Sequence, residues 1–545
     1  MNIIKQNIFA NDGKIDPITL EVLWTRLISA VDEAALTLHR TSFSTVVRES
    51  HDYTCMLLDT NGRAVAQASR SIPSFIGTLP MTVKAFLQKH PADTLSDGDV
   101  LICNDPWIGT GHLPDLTLAA PLFRKGKIIG FAGAIAHMSD IGGRRRSPDN
   151  REIYEEGLQI PILKIYESGN INSTLVDIIC RNVRVPDEVL GDIHAMVGSC
   201  ERMRHSLDEM LEEYDIDNIS ILAQNVIDRA NSAMIRAINK IPNGSYTTDT
   251  WVDSLDADKP LLLRCRVDIH DDKIIVDFDG SSAQNDSPLN AVIGYTTAYT
   301  SYAIKCVLLP DVPNNEGVLS PIEVRAPYGS CLNVKYPAAV EARATIGHYS
   351  TSAVLNSLSL ALPDKVPAES GIPLHGFTIN GRLNDDKPFS GIFFFNGGQG
   401  ARPGQDGIST LSFPTNVSNT PVEILERNFP LLFWEKTLLP RSAGEGKFRG
   451  GFGQRVVMEV TEAQRVSLSL LSQRLRFPPL GRQGGENGSC EKIELNGTAV
   501  QGGAPFEAQC GDVFVLELPG GGGFGSKAER DEALVKWDQD NYSLD

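Results

Sequence analysis

Residues 99–140 contain the side chains whose types and spacing best suit metal chemistry. Two strongly β-type runs, LTLAAPLF and IIGFAGAIAH, flank the short segment Lys125-Gly126-Lys127. If these runs pair as an antiparallel hairpin centred on that glycine, Asp115 faces His137. His112, three residues before Asp115, lies on the loop that leads into the hairpin. The spacing therefore predicts that two imidazoles and one carboxylate converge at the open end of the hairpin.

Imidazole nitrogens together with a carboxylate oxygen suit Zn²⁺, Mn²⁺ or Fe²⁺ and leave coordination positions for water or substrate. Asp52, in the run RESHDYT, begins another predicted hairpin and offers a fourth ligand, whereas His51 and Asp140 have weaker claims. The structural alternative is that His112 caps a turn, His137 ends a strand and the acidic residues are solvated. The residues alone leave both interpretations open, and they do not choose the metal.

Two further segments could take part in chemistry. Glu152, Glu155 and Glu156 in REIYEEG could provide a general base, with Glu152 as the weak candidate, although an acidic surface turn is the commoner arrangement. The glycines of 520–525 follow the β-type run VFVLEL as a phosphate loop would. Lys527, however, comes one residue too late for the Walker spacing, which disfavours nucleotide binding.

The N-terminal half alternates helical and strand patterns. Asp16 and Pro17 are a typical N-cap and first-turn pair, and apolar residues follow them at helical spacing. From Tyr53, short apolar runs with turn signals predict a β-hairpin and a strand-rich stretch to about residue 140. Residues 186 to about 240 return to helical periodicity with a break near 215–217, which predicts a helical pair.

The C-terminal half alternates strands with glycine clusters. The runs LLLRCRVDIH and KIIVDFDG predict strands, and residues 291–308 predict an apolar helix, which together form a second α/β unit. Beyond them, glycine clusters alternate with β-type runs, which predicts a β-rich region with tight turns and one short polar helix at its end. Within this region, residues 396–404 could expose backbone N–H groups to a substrate, although a sharp turn is favoured.

These patterns predict a mixed α/β (α+β) multidomain protein, because a length of 545 residues exceeds what one hydrophobic core usually organises. The predicted segments are 1–185, with the N-terminal helix and the β-hairpin-rich metal-site region; 186–245, the helical pair; 246–395, the second α/β unit; and 396–545, the glycine-punctuated β region with a short C-terminal helix.

The composition disfavours several functional classes. With a formal net charge of −18, the chain would repel a phosphate backbone, so nucleic acid is not an expected partner. The N-terminus lacks the apolar core of a signal peptide, and no apolar run approaches the ~18 residues of a membrane span. We therefore expect a cytoplasmic protein without membrane contact. The nine cysteines include no close C-x-x-C pair, which predicts free thiols rather than disulfides or a thiolate zinc site.

Several separated blocks of the sequence resemble the hydantoinase B/oxoprolinase family. They are DPITLEVLWTRL, RESHDYTCMLLD, NDPWIGTGHLPDLTL, AHMSDIGG, REIYEEGLQIPILKI, VDFDGSSAQ, VPNNEGVLSPIEV, GGQGARPGQDG and LPGGGGFG, and the resemblance runs nearly from end to end. The family includes subunits of ATP-dependent hydantoinases, 5-oxoprolinase, caprolactamase, and the acetone and acetophenone carboxylases. His112, Asp115 and His137 match its metal-ligand pattern, and Asp52 falls at an additional ligand position.

The resemblance implies an enzyme subunit that works with an ATP-using partner. In the family, phosphoryl transfer from ATP is assigned to a second chain or domain with an actin/sugar-kinase-like fold, so we expect a hetero-oligomer in which ATP is bound by the partner, a hydantoinase A-type subunit. This chain would hold a divalent metal, with zinc ahead of manganese and iron. Metal-activated water would open a cyclic amide such as a hydantoin, oxoproline or lactam. The alternatives are a subunit of an ATP-dependent ketone carboxylase and, in a different class, a noncatalytic scaffold for the kinase-like partner.

Overall fold

The computed structural model describes residues 14–144, 146–256, 258–500 and 506–542, and the strands within these ranges form four sheets. The largest contains β1 (Tyr53–Leu58), β2 (Ala64–Gln67), β3 (Val100–Cys103), β4 (Asp115–Arg124), β5 (Lys127–His137), β6 (Leu163–Glu167) and β7 (Asn170–Ile171). Their order is β2-β1-β5-β4-β3-β6-β7, and all neighbouring pairs are antiparallel.

The other three sheets lie in the second half of the chain. The second sheet contains β8 (Gly244–Val252), β9 (Leu261–His270), β10 (Lys273–Asp277) and β11 (Ile322–Arg325), in the order β11-β10-β9-β8. The remaining strands are β12 (His375–Arg382), β13 (Pro388–Phe395), β14 (Leu431–Leu439), β15 (Gly453–Val460), β16 (Arg465–Leu470), β17 (Lys492–Leu495), β18 (Thr498–Ala499), β19 (Phe506–Ala508) and β20 (Val513–Glu517). They form sheets of order β13-β12-β16-β19 and β14-β15-β20-β17-β18.

The α-helices in the described ranges are α1 (Pro17–Thr41), α2 (Thr45–Arg48), α3 (Thr78–Lys89), α4 (Ser173–Asn182), α5 (Pro186–Glu213), α6 (Ser220–Ile238), α7 (Ile293–Leu308), α8 (Glu316–Leu319), α9 (Arg343–Ala361), α10 (Val422–Asn428) and α11 (Glu532–Tyr542). Within those ranges, no helix has both the length and the apolar character needed to cross a bilayer. The mixed α/β character predicted from the sequence is confirmed.

Helices cover both faces of the seven-stranded sheet. α1 and α5 pack together against one face, and α3 contacts the other. Successive residues of β5 show this alternation. Ala134 pairs with Cys55 of β1, whose thiol contacts Ser199 of α5. Gly133, the preceding residue of β5, faces Leu79 of α3 instead. α3 also contacts α7, which packs on α9, and α9 covers β8 and β9 of the second sheet. The β4–β5 hairpin is therefore enclosed between helical layers.

Most local predictions for the N-terminal half are confirmed. The Asp16 side chain accepts hydrogen bonds from the backbone N–H groups of Ile18 and Thr19, so it caps α1 as expected. The hairpin β1–β2 and the helical pair α5–α6 also form where the sequence placed them. The strand-rich stretch to about residue 140 was wrong in one part, because α3 interrupts it. Leu79, Val83 and Phe86 are buried on one face of α3 and carry the helical spacing that could have indicated it.

Two hydrophobic cores organise most of the described residues. The larger begins at Ile15 and joins apolar side chains from the first three predicted segments, including Leu358 of α9. The smaller lies between residues 372 and 518 and is built mainly from β12–β16 and β20. Since one core continues across the boundaries proposed near 185 and 245, the division into four segments stays a prediction.

The glycine clusters of the last third have a second role besides the predicted tight turns, which form at Gly404 and Gly484. Gly398, Gly451 and Gly521 lie outside regular secondary structure, and their φ values are not in the left-handed region. The N–H of Gly451 donates to the carbonyl of Gln399, and that of Gly521 donates to the carbonyl of Gly451. A Cβ on Gly398 would collide with the carbonyl oxygen of Gly451. Glycine is needed here because segments pack backbone to backbone, which leaves no room for a side chain.

Gly398→Ala should destabilise the protein by about 2–3 kcal/mol, because the added methyl overpacks a backbone contact. Gly198→Ala is the matched control, since Gly198 lies in α5 beside open space and alanine favours a helix by roughly 0.5–1 kcal/mol. Thermal unfolding followed by circular dichroism should show a lower midpoint for the first variant only. An unchanged midpoint for Gly398→Ala would show that the segments have room to separate.

Candidate metal centre

The β4–β5 hairpin places Asp115 directly opposite His137, as predicted. Its two-residue turn is Lys125-Gly126, with φ values of 50° and 75°, which is typical of a type I′ hairpin turn. This turn alone would pair Asp115 with Ala136. A bulge at Ile129 adds one residue to β5 and restores the register. The predicted pairing was therefore correct, although the hairpin is not centred on the glycine.

His112 reaches the same end of the hairpin from the loop before β4. Gly111 has a φ of 97°, and a Cβ there would lie 2.8 Å from Cδ of Arg343, so both the backbone conformation and the space require glycine. The Nδ2 of Asn104 donates to the carbonyl of Leu113 at 2.8 Å and thereby fixes the end of the loop. The loop is held so that the imidazole of His112 faces the hairpin.

His112, Asp115 and His137 form one buried cluster. One potential ligand atom from each lies within 4.8 Å of the others, and the two imidazole ring centres are 5.2 Å apart. His112 Nε2 is 2.9 Å from Asp115 Oδ1, but the two are not aligned as a hydrogen bond, and neither atom has a hydrogen-bond partner among the described residues. Buried polar atoms left in this way cost about 1–3 kcal/mol each. A shared cation would satisfy both, so these residues fit a divalent metal.

Arg343 is a site residue that no sequence pattern indicated. Its Nη2 donates to Asp115 Oδ2 at 2.6 Å, its Nε donates to the carbonyl of Thr110 at 2.7 Å, and its guanidinium lies 4.1 Å from the ring centre of Tyr295. Arg343 therefore occupies one carboxylate oxygen of Asp115 and leaves the other directed towards His112. The two partners are 228 residues apart, so local spacing carries no signal for this contact.

Burial and charge set the protonation of the cluster. Burial, and then the charge of Arg343, lower the pKa of His112, which keeps the imidazole in the neutral form that binds metals. Burial opposes ionisation of Asp115, but the adjacent His112 and the Arg343 guanidinium outweigh it and hold the pKa of Asp115 well below its usual range. The carboxylate is therefore ionised at neutral pH.

Asp52 lines the same cavity without joining the cluster. Its backbone carbonyl accepts a hydrogen bond from the N–H of His137 at 3.0 Å, which draws the start of β1 beside the end of β5. Its carboxyl group faces the cavity, but it is not among the atoms that lie within 4.8 Å of one another. Burial, and then the charge of Asp115, raise the pKa of Asp52 to about 8. Its role as a fourth ligand stays a prediction.

The cavity beside the cluster is small and has two kinds of wall. Its volume is about 40 Å³, which is room for an ion and one or two waters but far below the roughly 300 Å³ of an ordinary small-molecule pocket. The polar part of the lining carries the cluster, Asp52, Arg146, Arg343, Glu341 and His348, and the apolar part includes Leu374, Ile392, Phe394 and Val417. The cavity therefore suits an ion more closely than a ring.

Comparison with known proteins agrees with this fold and places the chain in a family. The sequence model of the hydantoinase B/oxoprolinase family matches residues 16–527. The chain belongs to this family.

Two relatives of different total length and one solved structure are similar to this chain. The B-type subunit of a putative D-/L-hydantoinase from Pseudomonas sp. is 30% identical and aligns with 96% of this chain and 92% of its own length. The 5-oxoprolinase of Dictyostelium discoideum is 29% identical over 94% of this chain but only 41% of its own length. The ATP-dependent caprolactamase of Pseudomonas jessenii has a TM-score of 0.90 at 27% identity, with 97% of this chain and 94% of that chain covered.

None of the three candidate general bases, Glu152, Glu155 and Glu156, lines the cavity. Glu152 is exposed, and Glu155 is only partly buried. Glu156 is buried but accepts hydrogen bonds from the backbone N–H groups of Val340 and Glu341, so it supports the chain that precedes Arg343. A different glutamate, Glu341, lines the cavity. The geometry gives no support to Glu152 as a catalytic residue.

The two weaker candidates have structural contacts. His51 stacks on His39 with ring centres 4.8 Å apart, and its Nδ1 lies 2.9 Å from the carbonyl oxygen of Glu49. The buried Asp140 forms an ion pair with the partly exposed Arg184 at 2.6 Å. Neither side chain lines the cavity, so both are explained by packing next to the family's proposed ligands rather than by ligation.

The glycines of 520–525 do not form a phosphate-binding loop. The N–H groups of Gly521, Gly522 and Gly523 all donate to backbone carbonyls of other segments. Lys527 forms an ion pair with Glu445. Because these donors are already used, they are not free to surround a phosphate, which agrees with the unfavourable spacing in the sequence.

Arg343→Met should destabilise the metal-free protein by about 3–5 kcal/mol, because it leaves the Asp115 carboxylate buried without its partner. The double variant Arg343→Met/Asp115→Asn should lose less, since no charge then remains buried. Denaturant unfolding in the presence of a chelator measures both free energies. If the losses in free energy of unfolding simply add, so that the double variant is less stable than either single variant, the ion-pair account is contradicted.

Proposed function

We propose that this chain is the metal-binding subunit of an ATP-dependent enzyme that opens a cyclic amide, such as a hydantoin, oxoproline or lactam. The observation that carries the proposal is the buried cluster of His112, Asp115 and His137, in which a divalent cation would satisfy the unpaired Nε2 of His112 and Oδ1 of Asp115. Zinc suits the ligand set best, with manganese and iron as alternatives. Membership of the family and the likeness to an ATP-dependent caprolactamase support ring opening as the reaction.

The chain's own residues would prepare the site for attack by water. A divalent cation, when bound, supplies Lewis acidity and lowers the pKa of water towards neutrality. Arg343 holds Asp115 Oδ2 and so fixes the direction of Oδ1. Neutral His112 keeps a nitrogen lone pair available for binding. The apolar wall with Ile392 and Phe394 excludes bulk water, which strengthens electrostatic stabilisation of the charge that develops on the amide oxygen.

An ATP-using partner is part of the proposal, because an unactivated amide is a poor electrophile. Transfer of the γ-phosphoryl group to the amide oxygen would make the ring carbonyl carbon electrophilic enough for water to attack it. The ring C–N bond then breaks, and a second water releases phosphate from the resulting acyl phosphate. In the part of the chain described by the structure, the glycine segment 520–525 does not offer a phosphate loop. The 5-oxoprolinase of which this chain spans 41% is long enough to hold a further unit, and we propose that the corresponding partner of this chain is the ATP-using unit with an actin/sugar-kinase-like fold.

The purified chain should contain about one divalent metal per molecule, and the variant His112→Ala/His137→Ala should lose it because two of the three ligands are removed. His194→Ala/His205→Ala is the matched control, since it removes two exposed histidines of α5 outside the cluster. Elemental analysis of the folded proteins decides the matter. Equal metal in both double variants would place the ion elsewhere, and a folded chain that binds none when zinc is supplied would favour the scaffold alternative.

When combined with a hydantoinase A-type partner, ATP and a cyclic amide, the chain should support ring opening. Asp115→Asn should slow ring opening by at least about 100-fold while the partner still consumes ATP, so more ADP should form per ring opened. The exposed Asp385→Asn is the control and should leave this ratio unchanged. ADP and the open-chain product are measured in one assay. ATP turnover that requires a ketone and bicarbonate instead would identify the carboxylase alternative.

A further inference from the structure

A second cleft, which the proposed reaction does not use, opens beside residues 399–405. Its volume is about 550 Å³, within the roughly 300–1,000 Å³ typical of small-molecule sites. The end of α7 contributes Cys306 and Val307, and α9 contributes Leu355. The remaining wall comes from the segment after α9 and from the glycine-rich segment that follows β13. The cleft is therefore large enough for an organic ligand, unlike the metal cavity.

Two cationic side chains line this cleft without a carboxylate partner. In the described part of the chain, neither Arg402 nor Lys365 lies within 4.0 Å of a carboxylate oxygen, although acidic residues outnumber basic ones by 68 to 50. The Nε of Arg402 is also buried and has no hydrogen-bond acceptor among the residues described. One acid, Asp364, lines the same cleft. A buried guanidinium N–H of this kind is costly unless an acceptor, most effectively an anion, is supplied.

The loop that carries Arg402 is already shaped for binding. Arg402 and Gln405 exchange both backbone hydrogen bonds, at 3.0 and 3.1 Å, and the N–H of Ala401 donates to the carbonyl of Gly522 at 2.9 Å. Gln399, Gln405 and Phe413 also line the cleft. A fixed loop with several donors and an adjacent apolar wall fits an amphipathic anion, since little ordering is needed on binding.

We propose that this cleft binds a small organic phosphate, with its phosphate group at Arg402 and Lys365 and its apolar part against Leu355 and Phe413. A phosphate is favoured over a carboxylate because a guanidinium, an ammonium and side-chain amides together offer more donors than two carboxylate oxygens accept. The proposal does not rest on the metal centre or on the reaction proposed above. It can therefore be tested on this chain alone, and a failure of either proposal leaves the other standing.

Isothermal titration of the full chain with phenyl phosphate, in a low-chloride buffer, tests the proposal. Binding to about one site per chain is expected, with inorganic phosphate weaker because it lacks the apolar part and phenylacetate weaker because it has two oxygens. Arg402→Gln should weaken phenyl phosphate binding at least 10-fold, and Lys365→Gln should weaken it several-fold. Arg427→Gln is the matched control, because Arg427 is an exposed arginine that lies outside this cleft and, among the described residues, has no carboxylate within 4.0 Å.

Each result bears directly on the site. Loss of affinity in Arg402→Gln with unchanged affinity in Arg427→Gln would support it, and Arg402→Lys, which keeps the charge, should recover part of the loss if Arg402→Gln folds poorly. No heat of binding with any probe would overturn the proposal. Equal affinity for phenyl phosphate and neutral phenol would show an apolar site only, and tighter binding of phenylacetate would show a carboxylate site instead. Equal weakening by the Arg427→Gln control would show nonspecific attraction of anions.

Discussion

The ion pair between Asp115 and Arg343 is the interaction on which the candidate metal centre depends. Both side chains are almost fully buried, and an isolated charge at such a position would cost several kcal/mol. Arg343 satisfies one carboxylate oxygen of Asp115, while Asp52 adds a second acid to the same cavity. Two arginines, Arg146 and Arg343, and three acids, Asp52, Asp115 and Glu341, line this cavity, and burial raises the pKa of Asp52 so that its carboxyl group stays protonated. What favours a further cation here is the pair of unsatisfied ligand atoms, His112 Nε2 and Asp115 Oδ1, which another acid would not satisfy.

Backbone contacts between glycine segments support the strand that carries the apolar part of the cavity lining, in addition to the side-chain packing of that strand. β13 contributes Ile392 and Phe394 to the apolar wall, and the chain passes from β13 directly into the glycine segment 397–400. Backbone hydrogen bonds tie this segment to the neighbourhoods of Gly451 and Gly521. Because such contacts contain no side-chain rotamers, they define the end of β13 and the adjoining loop at 399–405 more closely than interdigitated side chains would.

The sequence predicted the features that depend on neighbouring residues, such as the cap of α1, the helical pair and the opposition of Asp115 and His137. It could not show the bulge at Ile129, which makes that register possible with a two-residue turn. The contact of Arg343 with Asp115 and that of Glu156 with Val340 could not be predicted, because the partners lie 228 and 184 residues apart. The predicted tight turns form at Gly404 and Gly484, but the sequence did not indicate the backbone packing of Gly398, because glycine provides both a free φ and the absence of a Cβ, and only long-range packing shows which property is used.

The contrast between the two cavity walls determines which side can open for a substrate. With about 40 Å³ beside the ligands, a cyclic amide cannot enter without movement of a wall. Moving the polar wall would separate Arg343 from Asp115 and leave both buried charges without compensation. Turning the side chains of Ile392 and Phe394 aside, with β13 itself held in its sheet, breaks mainly nondirectional apolar contacts, which can re-form after the substrate has bound. Access is therefore expected from the apolar side, with the ligand-bearing wall as the fixed half of the site.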